Sequence, residues 1–189
     1  LNKLAGDGLL IRVAGKGTFV APQKINAVSP VYKGIREQLE VLGYDIATTL
    51  ISTERVPAPT RVREHLNLPA GAEVIAVIRL RTVDGKPLSV HRSFVPASLA
   101  PGLDQLDVVN EQLCVVLEDK FNLSMKSVSE DLEVIVAEGT DAKLLELRKG
   151  DPALLLTDVI TNPAGTAFEY STIVFRGDTV RLKFDYKRE

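Results

Sequence analysis

The feature that most constrains the fold is a segment that recurs 79 positions later in the chain. Leu66–Gly71 (LNLPAG) corresponds to Leu145–Gly150 (LELRKG), and each copy ends a short predicted helix and leads into a long apolar run. Those runs, 74–83 and 153–161, each reach a turn sequence and return as a second extended run. Two related helix–hairpin units are typical of an α+β domain built on an antiparallel sheet, with a cleft where the halves meet.

The composition fits one globular domain of ordinary size. Of the 189 residues, 45% are hydrophobic and 25% are charged. No apolar run approaches the roughly 20 residues that a membrane helix needs, so we expect no membrane partner. The single cysteine, Cys114, cannot form an intrachain disulfide, which favours a reducing, cytoplasmic location. Its apolar neighbours predict a buried, unreactive thiol.

The first 24 residues form a basic arm on an acidic chain. They hold four basic side chains against Asp7, whereas the whole chain carries a net charge of −2. Two extended runs, Leu9–Val13 and Thr18–Val20, flank a glycine-rich turn and predict a hairpin. It is either a plain surface hairpin or a basic wing that offers Arg12 and Lys16 to phosphates. The turn lacks the glycine spacing of a nucleotide-binding P-loop.

The sequence Arg79-Leu80-Arg81 is the most pointed candidate site. Alternate residues of a strand share a face, so the two arginines project together about 6.6 Å apart, with Ile78 and Leu80 on the opposite, core face. Two parallel guanidinium groups suit one phosphate or carboxylate. The alternative is a solvated strand face whose arginines pair with nearby acids.

The roles of two further polar residues, His91 and Glu169, depend on which face of a strand each one occupies. A two-residue turn at Asp84-Gly85 puts His91 on the core side, whereas a three-residue turn puts it on the arginine face, so its role stays open. On a later strand, Glu169 shares a face with Ser171, Ile173 and Phe175. There it either accepts hydrogen bonds from the hydroxyls or amine of a ligand or is an exposed carboxylate.

Enzyme and metal signatures are scarce. The chain has no Gly-x-Ser-x-Gly, His-Glu-x-x-His or Cys-x-x-Cys motif, and its only histidines are His65 and His91. We therefore expect no catalytic activity, no metal and no cofactor.

Most of the chain resembles one family of bacterial regulators. Residues 1–20 resemble the end of the winged helix-turn-helix of GntR-type transcription regulators, and 31–187 resemble the effector-binding UTRA domain of the HutC branch. The features that carry the likeness are Gly15-Lys16-Gly17-Thr18-Phe19-Val20, Arg79-Leu80-Arg81, Asp84-Gly85-Lys86-Pro87, Phe94-Val95-Pro96, Glu169-Tyr170-Ser171 and Phe175-Arg176-Gly177-Asp178.

This resemblance implies a chorismate lyase-like antiparallel sheet with flanking helices. It divides the chain into a remnant of the winged helix-turn-helix (1–22), a linker (23–30) and the UTRA domain (31–189). Most of the helix-turn-helix would precede Leu1, so the chain alone should bind operator DNA poorly. The wing's DNA contacts would be Arg12, Gly15, Lys16, Gly17 and Thr18.

The resemblance also implies an effector site. Its residues would be Arg79 and Arg81 on an anionic group, together with His91, Glu169, Phe175 and Thr49, beside a helix start near 110–112. Family members commonly have glutamate where this chain has His91 and tyrosine where it has Phe175. These departures favour an effector with fewer hydroxyls, or with additional negative charge for His91, over a standard amino-sugar phosphate. A thermal-shift screen in which only hexosamine phosphates stabilise the domain would reject that hypothesis.

The function implied is a ligand-responsive transcription factor, most simply a repressor, that binds operator DNA as a homodimer. Its effector would be a small phosphorylated or carboxylated metabolite. The first alternative is a chorismate lyase-like enzyme acting on an aromatic carboxylate, since two arginines also suit such a substrate. The second is a module that mediates only protein association.

Overall fold

A computed structural model describes residues 1–6, 10–20, 24–27, 35–109 and 111–183. Its helices are α1 (Asn2–Gly6), α2 (Ile35–Val41), α3 (Thr60–His65), α4 (Leu113–Phe121) and α5 (Gly139–Leu144), with a 3₁₀ turn at Leu103–Gln105. Its strands are β1 (Leu10–Val13), β2 (Gly17–Val20), β3 (Ile25–Ala27), β4 (Ile46–Pro57), β5 (Glu73–Val83), β6 (Lys86–Pro96), β7 (Ser127–Val136), β8 (Pro152–Thr161), β9 (Ala167–Arg176) and β10 (Val180–Leu182). Within those ranges, every helix is too short or too polar to traverse a bilayer.

The sequence repeat becomes a two-fold arrangement of a six-stranded antiparallel sheet. The strand order is β4-β5-β6-β9-β8-β7, so β4-α3-β5-β6 and β7-α5-β8-β9 are matching halves that meet where β6 pairs with β9. The backbone repeats as well: Asn67 and Glu146, 79 positions apart, both have a φ of 51°. The predicted α+β class and the two helix–hairpin units are confirmed.

Helices cover both faces of this sheet. On the arginine face, one apolar cluster joins Ile75 and Val77 to α4, and a second joins Val83 and Phe175 to α2 and β3. Two further clusters pack α3 and α5 on the opposite face, around Tyr170 and Leu145. Apolar burial therefore holds both ends of the arginine face and leaves its middle strip for other side chains.

The N-terminal hairpin forms as the sequence predicts. Strands β1 and β2 pair antiparallel, with Arg12 opposite Thr18. Gly15 and Gly17 have φ values of 74° and 119°, which side chains disfavour and the turn requires. The Arg12 guanidinium donates a hydrogen bond to the side-chain oxygen of Asn2, so the hairpin is tied to α1.

The predicted linker is tied to the sheet-bearing domain over the part that the structure describes, residues 24–27. Strand β3 pairs in parallel with β10, and Ile25 and Ala27 are buried beside Phe175 and Val180. The Lys24 ammonium also donates to the carbonyl of Gly177 at 2.6 Å. The other linker residues, 23 and 28–30, lie outside the described residues. Proline and small-residue content alone did not reveal this strand.

The expectation of a buried thiol is wrong, because Cys114 is exposed. Helix α4 turns Leu113, Val116 and Leu117 toward the core, and Cys114 lies outside this buried stripe. Apolar sequence neighbours predict burial poorly in a helix, where residues next to each other in sequence point in different directions.

Candidate functional site

The two arginines of β5 are buried side chains. Arg79 and Arg81 are 5% and 6% exposed, whereas Ile78 and Leu80 on the opposite face are only half-buried. Arg79 Nη1 donates to the Val108 carbonyl at 3.4 Å. Among the described residues, Arg79 Nε and Arg81 Nε and Nη1 have no hydrogen-bond partner. The solvated-face interpretation is therefore wrong. The opposite face is apolar as predicted, with Ile78 and Leu80 packed against the cluster around Leu145, and the arginine face is buried as well.

The burial of these guanidinium groups has an electrostatic cost. Burial lowers the pKa of Arg81 to about 9, and the positive charges of Arg79 and Arg36 contribute to the same shift. Burial also lowers the pKa of Arg79, against the attraction of Glu169. At neutral pH Arg81 stays charged, so the protein holds a buried positive charge beside a second arginine.

A β-bulge places His91 on the arginine face. The Asp84-Gly85 turn has two residues, both with positive φ, and this turn alone would put His91 on the other face. Beyond the turn, the pairing of β6 with β5 shifts by one residue at Leu88, so His91 lies directly opposite Arg79. The structure thus answers the question that the sequence left open, through a bulge within β6 rather than a longer turn.

His91 does not add a third positive charge to the site. Its Nε2 lies 2.8 Å from the Ser89 hydroxyl oxygen. Burial, followed by the charges of Arg81 and Arg79, holds the pKa of His91 well below its usual value of 6.5. The imidazole is therefore neutral at pH 7 and acts as a hydrogen-bonding group.

We expect the His91 ring to remain neutral when the protein is titrated from pH 8 to pH 6. Because the unfolded chain binds this proton and the folded protein does not, His91 lowers stability as the pH falls below about 6.5. The measurement is the His91 ring-proton chemical shift by NMR, assigned with His91→Gln. A midpoint near 6.5 in the folded protein would contradict the buried, arginine-flanked environment.

Two buried carboxylic acids lie on the same face: Glu169 on β9, two strands away from β5, and Asp158 on β8, three strands away. Glu169 is 6% exposed; burial raises its pKa, against a hydrogen bond from Ser93 and the charge of Arg79. Asp158, on β8, is 1% exposed and accepts a hydrogen bond from the Ser171 hydroxyl at 3.0 Å. Burial raises the pKa of Asp158 to about 7.

Asp158 is not among the site residues that the sequence predicts. The sequence does contain a signal: Asp158 is the one charged residue in the run 153–161. Burying a carboxylate among apolar side chains costs free energy, so an acid in such a run is a candidate functional residue. The face of the sheet on which Asp158 lies follows from its position opposite Ser171. Strand periodicity alone does not reveal that pairing.

These side chains form one strip across four adjacent strands, between the two apolar clusters of that face. We call it the polar band. Its members are all buried: Arg79 and Arg81 on β5, Ser89, His91 and Ser93 on β6, Glu169 and Ser171 on β9, and Asp158 on β8. The band combines positive charge at one end with carboxyl groups at the other.

Phe175 lies at the edge of the polar band, but Thr49 lies outside it. Phe175 is opposite Ser89, fully buried, with its ring centre 6.2 Å from that of His91. Thr49 is exposed and opposite Leu80, on the other face of the sheet. One position away, Thr48 is opposite Arg81, and its hydroxyl has no partner among the described residues. A shift of one residue reverses the face, so the structure does not bring Thr49 to the arginines.

The predicted DNA contacts lie together on the N-terminal hairpin. All five are exposed: Arg12, Gly15, Lys16, Gly17 and Thr18. Gly15 and Lys16 form part of the turn, so a cation lies at the tip of the hairpin.

Comparison with known proteins gives a consistent picture. The family model of the UTRA domain matches residues 42–181. The chain is 27% identical to the probable fructoselysine utilization operon transcriptional repressor of Shigella flexneri, over 100% of the chain and 77% of that protein. It is 25% identical to the HTH-type transcriptional repressor NagR of Bacillus subtilis, over 94% and 73%. The crystal structure of PhnF from Mycobacterium smegmatis superposes with a TM-score of 0.79 at 21% identity, covering 100% of this chain and 82% of PhnF.

Proposed function

The chain belongs to the UTRA domain family of GntR-type, HutC-branch transcriptional regulators, and from this premise we propose that its polar band binds a small anionic metabolite that controls operator binding. Its relatives are named transcriptional repressors, and its function is of the same class, that of a ligand-responsive transcriptional regulator. The effector is phosphorylated or carboxylated, and the regulator acts as a homodimer and most simply as a repressor.

One observation carries this proposal: two buried guanidinium groups retain unpaired donors. Among the described residues, no ion pair joins Arg79 or Arg81 to a carboxylate. A buried charge without a counter-ion destabilises a protein by several kcal/mol. An anion bound between the two side chains supplies the missing acceptors, and arginine forks suit phosphate and carboxylate oxygens.

Phe175 supplies a physical route from the effector to the DNA-binding part. Its ring is nearly perpendicular to that of His91, with the ring centres 6.2 Å apart, and the same side chain packs in the cluster that holds Ile25 and Ala27 of β3. Because β3 lies between the N-terminal hairpin and the six-stranded sheet in the chain, an effector that shifts Phe175 moves this connection. In a dimer, that movement changes the spacing of the two wings on their half-sites.

We expect Phe175→Leu to uncouple anion binding from operator release. Leucine preserves an apolar side chain at a cost of roughly 1–3 kcal/mol for the smaller volume at this fully buried site, but it removes the ring that joins His91 to β3. Anion affinity should change little, while the concentration of anion that releases operator DNA should rise about fivefold or more. Operator binding by the full-length regulator, titrated with the anion, measures this. An unchanged release curve would remove Phe175 from the route.

The wing residues contribute DNA affinity rather than sequence choice. Arg12 and Lys16 contact the phosphate backbone or the minor groove, and such contacts strengthen binding on every sequence. Base recognition then belongs to the recognition helix of the full-length protein.

The effector proposal is tested by anion-dependent stability. Thermal unfolding of the chain is measured with inorganic phosphate, phosphomonoesters and carboxylates, with chloride at equal ionic strength as the control. Stabilisation by one anion class, followed by operator release from the full-length regulator with the same compounds, supports the proposal. Absence of stabilisation by every anion would refute it and favour the association module.

A chorismate lyase-like activity is the alternative that the two arginines also permit, since they suit a dicarboxylate such as chorismate. The names of the relatives favour regulation. Consumption of chorismate by the purified chain, followed by absorbance, separates the two: turnover that is lost in Arg81→Met would establish the enzyme instead.

A further inference from the structure

Asp158 occupies the position in the second half of the domain that Arg79 occupies in the first. The two residues are 79 positions apart, which is the offset of the sequence repeat. Their side chains share one face of the sheet: Arg79 is opposite His91, His91 is opposite Ile173, and Ile173 alternates with Ser171, which is opposite Asp158. Equivalent positions of the two halves thus carry opposite charges.

Among the described residues, no ion pair joins Asp158 to a positively charged side chain, just as none joins Arg79 or Arg81 to a carboxylate. The Oδ2 atom of Asp158 accepts the Ser171 hydroxyl, and among the described residues its Oδ1 has no hydrogen-bond partner although the side chain is 1% exposed. The charged groups that influence it are Glu130, opposite it on β7, and Glu169, and both are acids. A purely structural role would be met by a neutral side chain, so an acid retained among acids indicates a cationic ligand group.

Building on the effector site of the proposed function, we propose that the effector is a zwitterion whose anionic group binds Arg79 and Arg81 and whose protonated amine binds Asp158 and Glu169. Three strand spacings separate β5 from β8, roughly 14 Å at about 4.8 Å each, before the reach of the side chains is subtracted. The two charged groups of the effector therefore stand at opposite ends of it.

An amine suits this end of the polar band better than a hydroxyl. Ionised Asp158 and Glu169 are acceptors only, and an ammonium group brings three donors and a compensating charge. A hydroxyl brings one donor and leaves the two carboxylates repelling each other. Ser171 already holds one oxygen of Asp158, which directs the second oxygen to the ligand.

The test uses matched probes on the intact chain: alkyl phosphates and ω-aminoalkyl phosphates of increasing chain length, with the matching carboxylates, by isothermal titration calorimetry. At the best length, the amine should tighten binding by about tenfold to a hundredfold. Asp158→Asn should remove that gain and leave the binding of the alkyl phosphate unchanged. Asp131→Asn, an exposed position on β7, is the control and should retain the gain. The gain should also grow between pH 6 and pH 8, as Asp158 ionises beside Glu130, Glu169 and Ser171.

The outcomes separate this inference from the proposed function. Alkyl phosphates or carboxylates that bind through Arg81 without any gain from an amine would overturn the zwitterion and leave the anion site standing. A gain that persists in Asp158→Asn would place the amine elsewhere and overturn the role of Asp158. If no probe binds, both proposals fail.

Discussion

Arg81→Met is expected to stabilise the unliganded protein while abolishing its response to anions. Burial lowers the pKa of Arg81 to about 9, which corresponds to roughly 5 kcal/mol against the folded state at pH 7. Above about pH 9 and up to the ordinary pKa of arginine, the unfolded state binds a proton that the folded state has lost, so stability rises with pH there; at pH 7 the whole cost is present. Methionine removes this cost and keeps most of the volume, so we expect a net gain of about 1–4 kcal/mol.

The same substitution removes charge-assisted hydrogen bonds to the effector, worth about 1.5–3 kcal/mol each, so anion affinity should fall about 100-fold. Thermal unfolding measures the first effect, and calorimetry or operator release the second. Arg148→Met is the matched control: the Arg148 side chain is 90% exposed and loses only a surface ion pair with Asp151, so stability should change by less than about 1 kcal/mol and anion affinity should not change. Opposite changes in stability and binding are the signature of a residue retained for function. Unchanged anion affinity in Arg81→Met would refute the effector site.

Asp158→Asn is expected to stabilise the protein above pH 7 and to flatten its pH dependence. The pKa of Asp158 rises from 3.8 to about 7, because burial disfavours its charged form. Between about pH 4 and pH 7 the folded protein holds a proton that the unfolded chain has lost, so stability falls as the pH rises through this range, by on the order of 4 kcal/mol. Asparagine is neutral throughout and can still accept the Ser171 hydrogen bond.

Urea unfolding at pH 5 and pH 8 measures this effect. Asp158→Asn should raise the free energy of unfolding more at pH 8 than at pH 5. Asp131→Asn should change the free energy of unfolding by the same amount at both pH values. Part of the pH dependence of stability should remain in Asp158→Asn, because burial also raises the pKa of Glu169. An identical pH dependence in Asp158→Asn and the wild type would show that Asp158 is ionised in the folded protein, with a partner of its own.

Much of the fold and half of the site followed from local pattern. Strand alternation correctly put Arg79 with Arg81, and Glu169 with Ser171, on common faces, because the period of a strand depends only on its own backbone. The family resemblance, rather than strand alternation, suggested Thr49, and the face on which Thr49 lies depends on where β4 pairs with β5. Strand alternation also did not predict that both faces of β5 are buried, since sequence does not tell which helices will cover which side of a sheet.

The sequence by itself determined the repeat, the antiparallel hairpins, the basic N-terminal arm and the pairing of two arginines on one strand, since all of these depend on residues near each other in the chain. Only the tertiary structure decided that the arginines are buried, that a bulge at Leu88 turns His91 toward them, and that Asp158 shares their face. The physical reason is that burial, register and electrostatic environment arise between strands far apart in sequence. Two identical local patterns can therefore end in water or in the core, depending on what packs against them.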